Sequence, residues 1–357
     1  MHKSSLLFGA LALAAAPALA QDDAPTRSGF VEPGQEAQPA WKHEPSGLAL
    51  PPAIAGFARG KITRFDEEGR NVAIAFRGTD DTFATLYVYR AGVPSVAIWS
   101  DRAASVMLSN SKLGEVDPDT LIIAPFSPPA GAGADSGVRI SAGFRGEGAG
   151  ATGLSLHVHD GWLVKLRMTS RSLSAAGLDA RIAALVGALD LPRASETAPL
   201  YAAMEECENR LDAEKPAKLV ALDMTANILI GGIIGSLRDE RAGAWSDPDA
   251  RWCRDAASRR EYGIYRSSSS RNSYLLAYGD SGTSLFAARY GMGSLIKPSR
   301  LFLAVQSDGT REVVYPPFDR LPTPAQMAGL PGNLAPVMSF DLRPGADGAA
   351  TIHVNAE

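Results

Sequence analysis

Residues 154–168, LSLHVHDGWLVKLRM, form the clearest local pattern in the chain. Leucine and valine alternate with other residues up to Asp160-Gly161, and residues 162–168 lead back. Alternation with a period of two is typical of a strand, and Asp-Gly suits the positive φ angles of a tight turn. This stretch therefore predicts a β-hairpin within an antiparallel sheet.

Further strands and two helices surround this hairpin in the sequence. Residues 71–90 predict an earlier hairpin, and residues 138–144 alternate like another strand. Helical spacing of apolar residues follows Ser95, a candidate N-cap, and appears again before Pro192, a candidate stop. The first half of the chain is therefore predicted to combine antiparallel strands with two helices.

The element order over residues 46–193 is hairpin, helix, antiparallel strands and closing helix. With the strand DGWLVKLRMTSRS at residues 160–172 and the amphipathic helix after it, this order resembles the PsbP-like α/β fold. That fold includes photosystem extrinsic subunits and small bacterial envelope proteins. The resemblance implies a binding or assembly role in place of catalysis, and it identifies no functional positions.

A second domain is predicted after a linker at residues 194–200. This domain covers residues 201–357. Helical spacing of apolar residues begins at the last linker residue, with Leu200, Met204, Cys207 and Leu211, and several short alternating runs follow. We therefore expect an α+β protein of two domains, each a largely antiparallel sheet with flanking helices.

The apolar segment at residues 219–237 has two interpretations. It contains Asp223, and its uncharged part covers residues 224–237 only, short of the ~20 residues that a membrane-spanning helix needs. A buried core helix is therefore preferred to a membrane span.

The start of the chain has the pattern of a secretory signal peptide. Lys3 precedes an apolar run at residues 6–16, and a small-x-small pattern ends at Ala20. We therefore predict cleavage near Ala20, with residues 1–20 as the signal peptide and residues 21–45 as a flexible leader. The expected location is the periplasm or the exterior.

The charge of the mature chain is mildly acidic. Cleavage after residue 20 removes one lysine, which leaves 34 basic residues against 39 acidic residues. This small excess does not favour nucleic acid or an anionic membrane as a partner.

The mature chain has two cysteines, Cys207 and Cys253. An oxidising compartment allows them to pair, and closing this loop would stabilise the fold by roughly 3 to 4 kcal/mol on the chain-entropy model. The alternative is two buried free thiols.

Two motifs suggest catalysis or metal binding. Gly279-Asp280-Ser281-Gly282 copies the tetrapeptide around the nucleophile of chymotrypsin-like serine proteases, but it also suits a hairpin turn between strands. His157 and His159 share one face of a strand and could bind a metal, although zinc needs three or four ligands. The simpler interpretation is that they mark the polar side of a half-buried strand.

A basic and aromatic stretch offers a candidate binding surface. Its proposed binding residues are Arg251, Trp252, Arg254 and Arg259. Arginine beside aromatic rings can grip carboxylate, phosphate or sugar-acid groups. The alternative is a set of solvated arginines around a buried tryptophan.

The glycine-rich stretches at residues 131–137 and 143–153 lack phosphate-loop spacing, so no cofactor is expected.

Together these patterns predict an exported envelope protein that serves as a non-catalytic binding or assembly module. Its expected partner is another envelope protein or an anionic polymer, with no nucleic acid and no membrane span. The alternative is an exported hydrolase or metal-dependent enzyme that uses Ser281 or the histidine pair.

Overall fold

A computed structural model describes residues 30–31, 40–109, 114–146, 150–211, 213, 215–221, 251–267, 272–289, 301–342 and 351–354. Within these ranges the chain forms two large, mainly antiparallel sheets and few helices. The architecture agrees with the predicted α+β class, but fewer helices flank the sheets than predicted. The helices are α1 (Val96–Leu108), α2 (Ala175–Gly187) and α3 (Pro324–Ala328).

The first half of the chain contains eleven described strands. They are β1 (Phe30–Val31), β2 (Trp41–His43), β3 (Leu48–Leu50), β4 (Ala53–Ile54), β5 (Phe57–Arg64), β6 (Val72–Gly78), β7 (Thr82–Arg90), β8 (Val116–Phe126), β9 (Gly137–Phe144), β10 (Ala151–His159) and β11 (Trp162–Ser170). The first sheet has the order β1-β5-β6-β7-β11-β10-β9-β8, with β4 paired to β5. Strands β2 and β3 pair separately.

The hairpin predicted at residues 154–168 is confirmed. Strands β10 and β11 pair in antiparallel register from Ala151 opposite Ser170 to His159 opposite Trp162. Asp160 and Gly161 both adopt positive φ, at 46° and 74°. The turn residues therefore set the register, as the Asp-Gly pair indicates.

Regular structure begins earlier than the sequence predicts. Strands β1 and β2 fall inside the expected flexible leader, residues 21–45, and the rest of residues 1–39 lies outside the described part of the chain. Trp41 and His43 are buried, and the His43 ring packs edge-on against Trp162 at 5.2 Å between centroids. This ring packing shows that the folded domain begins on the N-terminal side of residue 46.

The first sheet is covered on both faces. Helix α2 buries Leu178 and Ile182 on one face, here called the α2 face. Helix α1 buries Ile98 and Trp99 on the opposite face, here called the α1 face. Because both faces are covered, even the polar positions of the central strands are removed from water.

The second sheet uses the rest of the described strands. They are β12 (Glu205–Glu206), β13 (Trp252–Arg254), β14 (Tyr262–Ser267), β15 (Ser273–Tyr278), β16 (Ser284–Arg289), β17 (Phe302–Ser307), β18 (Arg311–Phe318), β19 (Met338–Asp341) and β20 (Thr351–Val354). They follow in sequence order across the sheet, and all neighbours are antiparallel except β12 and β13.

The helix predicted from Leu200 to Leu211 is wrong. This segment is extended: the Tyr201 amide donates to the Asp135 carbonyl, and Cys207 N donates to the Arg254 carbonyl. Its apolar residues reach different surroundings, since Met204 packs against the α1-face core and Cys207 joins Cys253 in a disulfide. The disulfide confirms the predicted pairing.

The proposed core helix at residues 219–237 lies almost entirely outside the described residues. No helix in the described part of the chain is long and apolar enough to cross a membrane.

The two sheets share one hydrophobic core. Tyr265, Leu275 and Ala277 of the second sheet join the cluster that contains α1 and the α1 face of the first sheet. The opposite face of the second sheet packs against α3 and includes Tyr274 and Leu276. Helix α1 therefore lies between the two sheets and contributes to the packing of both.

A buried ion pair joins the sheets beside this shared core. Lys165 on β11 donates to Asp280 Oδ2 at 2.7 Å and to the Asp280 carbonyl at 2.9 Å. Both side chains are at most 5 % exposed. Although burial opposes ionisation, Lys165 and the nearby Arg167 lower the pKa of Asp280. Tyr89 also donates to the Asp280 carbonyl.

Replacing one member of this pair should destabilise the protein strongly. Asp280→Asn leaves the Lys165 ammonium buried without a carboxylate, so we expect the free energy of unfolding to fall by about 3 kcal/mol in urea denaturation. The exposed Asp119→Asn serves as control, with a change within about 0.5 kcal/mol. The double variant Lys165→Met/Asp280→Leu should lose less than Asp280→Asn. Equal stability of Asp280→Asn and wild type would contradict a structural role.

Removing the disulfide gives a second test of the fold. Cys207→Ser/Cys253→Ser should lower the free energy of unfolding by about 3 to 4 kcal/mol, because the unfolded chain regains the entropy of an open 46-residue loop. Urea denaturation of the oxidised wild type and the variant measures this difference. A dithiol reductant should destabilise the wild type and leave the variant unchanged; a response of both would refute the assignment.

Candidate functional site

The Ser281 motif forms the turn between β15 and β16, which confirms the hairpin interpretation. Tyr278 N donates to the Thr283 carbonyl, and Gly279 and Gly282 both adopt positive φ. The turn docks on the α1 face of the first sheet through Asp280. Of the histidines whose side chains are described, all three lie on the α2 face, so the sheet itself separates them from Ser281. They are His43, His157 and His159.

The histidine pair is buried instead of lying on the polar side of a half-buried strand. His157 and His159 are 0 % and 1 % exposed, because the α2 face is covered. Neither nitrogen of the His157 ring has a hydrogen-bond partner, and the ring packs edge-on against Phe126 at 5.8 Å. The ring nitrogens of His159 likewise form no hydrogen bond of normal geometry.

Burial keeps both imidazoles neutral. Desolvation lowers the pKa of His157 to about 3, with a further lowering from His159. Desolvation also lowers the pKa of His159, although Asp160 and the Pro192 backbone oppose this effect. Neutral imidazoles can bind metals, but among the described residues no group of three or more potential ligands could hold an ion. We therefore interpret His157 and His159 as part of the packed core.

The structure separates the four arginine-stretch candidates. Arg254 forms an ion pair with Asp101 at 2.7 Å and lies 3.6 Å from Glu206, so its charge is already balanced. Arg259 is exposed, and its carbonyl accepts a hydrogen bond from Arg102 of α1. Arg251 and Trp252 instead line a cleft between the two sheets.

This intersheet cleft has a volume of about 1300 Å³. One side is formed by the end of β7, the start of α1 and the loop between them, including Arg90 and Val93. The floor is the face of the second sheet that carries Phe286 and Val305, beside Trp252. The cleft exceeds the ~300–1000 Å³ that is usual for small-molecule sites. It is therefore large enough for part of a macromolecule.

A third side of the cleft is formed by residues 196–205, here called the strap. Asp160 Oδ1 accepts hydrogen bonds from the amides of Ser195 and Glu196, which fixes one end. The disulfide follows the other end at Cys207. The strap presents Leu200, which is 72 % exposed, to the cleft.

Sequence reasoning identified Arg251 and Trp252 but missed Arg90, Leu200 and Tyr201. The Arg90 guanidinium lies over the Trp162 ring at 4.3 Å. Local sequence does not show that these residues share one site, because they come from strands, a helix start and the strap in both halves of the chain.

Comparisons with protein-family models, curated proteins and solved structures find no match for this chain. The cleft is therefore interpreted from its own residues.

The buried histidines should make stability depend on pH. The folded pKa of His157 lies below its ordinary value of 6.5, so the unfolded state binds more protons below pH 6.5. Stability should be full above pH 6.5 and fall by about 1.4 kcal/mol per unit as the pH drops toward 3. His157→Phe should remove this contribution to the pH dependence of the free energy of unfolding. Urea denaturation at a series of pH values between 7.5 and 4.5 measures it.

A matched control separates titration from packing. Phe126→Leu alters the ring contact but keeps the imidazole, so it should destabilise equally at pH 7.5 and 4.5. Identical pH slopes for wild type and His157→Phe would contradict the protonation account.

Proposed function

We propose that this protein is an exported, non-catalytic binding module of the cell envelope that receives part of a protein partner in the intersheet cleft. The observation that carries the proposal is the cleft itself, which both sheets line and in which Arg251 and Trp252 meet. Trp and Arg are enriched among residues that dominate binding energy at protein interfaces.

Two other features support this role. The disulfide suits an oxidising compartment, in agreement with the signal peptide predicted at residues 1–20. The resemblance of residues 46–193 to PsbP-like proteins also implies binding or assembly. The catalytic alternatives lack support, since the first sheet separates Ser281 from the described histidines and His157 is sealed in the core.

Position-specific crosslinking in the native envelope tests this proposal. A photo-crosslinking residue at Leu200 should yield one defined protein adduct, because Leu200 is exposed within the cleft. The matched control is Leu219, which is 49 % exposed and is not a cleft residue. Arg251→Ala/Trp252→Ala should reduce the Leu200 adduct about tenfold or more.

The outcomes of this experiment are distinct. An adduct at Leu200 that depends on Arg251 and Trp252 supports binding in the cleft. Equal adducts at Leu200 and Leu219, or adducts that survive the double substitution, would refute it.

A further inference from the structure

The charges that line the intersheet cleft define the chemistry of its occupant. The described lining residues include two guanidiniums, those of Arg90 and Arg251, and four carboxylates, those of Asp160, Glu196, Glu205 and Glu312. The lining therefore carries an excess of negative charge although it contains part of the arginine-rich stretch. A cleft of this kind disfavours a polyanion.

Other arginines of the stretch do not add positive charge to the cleft, since Arg259 is exposed outside the lining and two more are paired. Arg254 is paired with Asp101, and Arg266 is buried against Asp255 at 3.2 Å. Their positive charges are neutralised within the fold, and the Arg254 pair joins the second sheet to α1.

Of the two cleft guanidiniums, Arg90 faces two carboxylates, so an acidic excess remains around it. It stacks on Trp162, and its nearest acidic neighbours are Asp160 and Glu196, which oppose the lowering of its pKa by burial. Arg251 is the exposed guanidinium of the lining, and it stands beside Trp252.

The strap holds two exposed carboxylates at the cleft. Glu196 lies at the end that Asp160 fixes through backbone amides, and Glu205 lies in β12, which pairs with Cys253 on β13. Because both ends of the strap are anchored, its backbone holds these two residues at the cleft. A fixed anionic site loses less entropy on binding a cation than a mobile one.

The same cleft presents apolar surface between its charges. Leu200 and Tyr201 of the strap face the cleft with Trp252, Phe286 and Val305. We infer, on the basis of the proposed function, that the partner inserts a polypeptide segment that combines lysine or arginine with apolar side chains. The strap carboxylates of Glu196 and Glu205 receive the cations, and the apolar lining receives the apolar side chains.

Two labelled peptides test the inference directly with the full mature chain. Fluorescence anisotropy compares acetyl-Gly-Lys-Leu-Lys-Leu-Gly-amide with the counterpart that has glutamate in place of lysine. We expect the lysine peptide to bind at least about tenfold more tightly at low salt and to lose affinity as salt is added.

Single charge substitutions locate the binding. Glu196→Gln and Glu205→Gln should each weaken the lysine peptide about threefold, and Arg251→Gln should strengthen it about threefold. Glu208→Gln is the matched control, since Glu208 is an exposed carboxylate next to the disulfide and is not part of the cleft lining. It should leave the affinity unchanged.

Several results would overturn the inference. Tighter binding of the glutamate peptide would assign the cleft to an anionic partner, and binding of neither peptide at millimolar concentration would exclude a short cationic segment. Equal effects of Glu205→Gln and Glu208→Gln would show binding outside the cleft. If Leu200 still crosslinks specifically in the envelope, these results refute only the charge of the partner and leave the binding function in place.

Discussion

The buried pair of Lys165 and Asp280 is the constraint on which the arrangement of the two sheets depends. Two opposite charges removed from water must meet at hydrogen-bonding distance, because an unpaired charge in the interior is very costly. Asp280 lies at a turn of the second sheet and Lys165 on a central strand of the first. This requirement places the turn on the α1 face, and the position of the cleft beside Arg90 follows from it.

A buried arginine also joins the two halves of the chain at the same junction. Arg102 of α1 is buried and donates to three backbone carbonyls of the second half of the chain, those of Gly279, Arg259 and Arg260. A guanidinium has five N–H donors in a fixed plane, so one side chain can satisfy several carbonyls that sheet pairing leaves open. Arg102 and Arg254 therefore belong to an internal junction, whereas Arg251 and Arg259 are exposed.

Local patterns predicted the hairpins well and the connections poorly. The turn at Asp160-Gly161 was correctly placed because strand alternation and turn conformations depend on neighbouring residues. The helix predicted from Leu200 to Leu211 was wrong because the spacing of its apolar residues does not reflect one buried helix face. Tyr201, Met204 and Cys207 each meet a different part of the fold, and this requires an extended chain.

Nearby residues suffice to establish the β-rich character of this protein, its main hairpins and the availability of two cysteines for pairing. Only the assembled fold shows that His157 and His159 are buried, that Arg254 is neutralised, and that Arg251 and Trp252 share a cleft with the strap. The physical reason is that burial and charge balance depend on groups distant along the chain. Alternation and turn formation depend on groups a few residues apart.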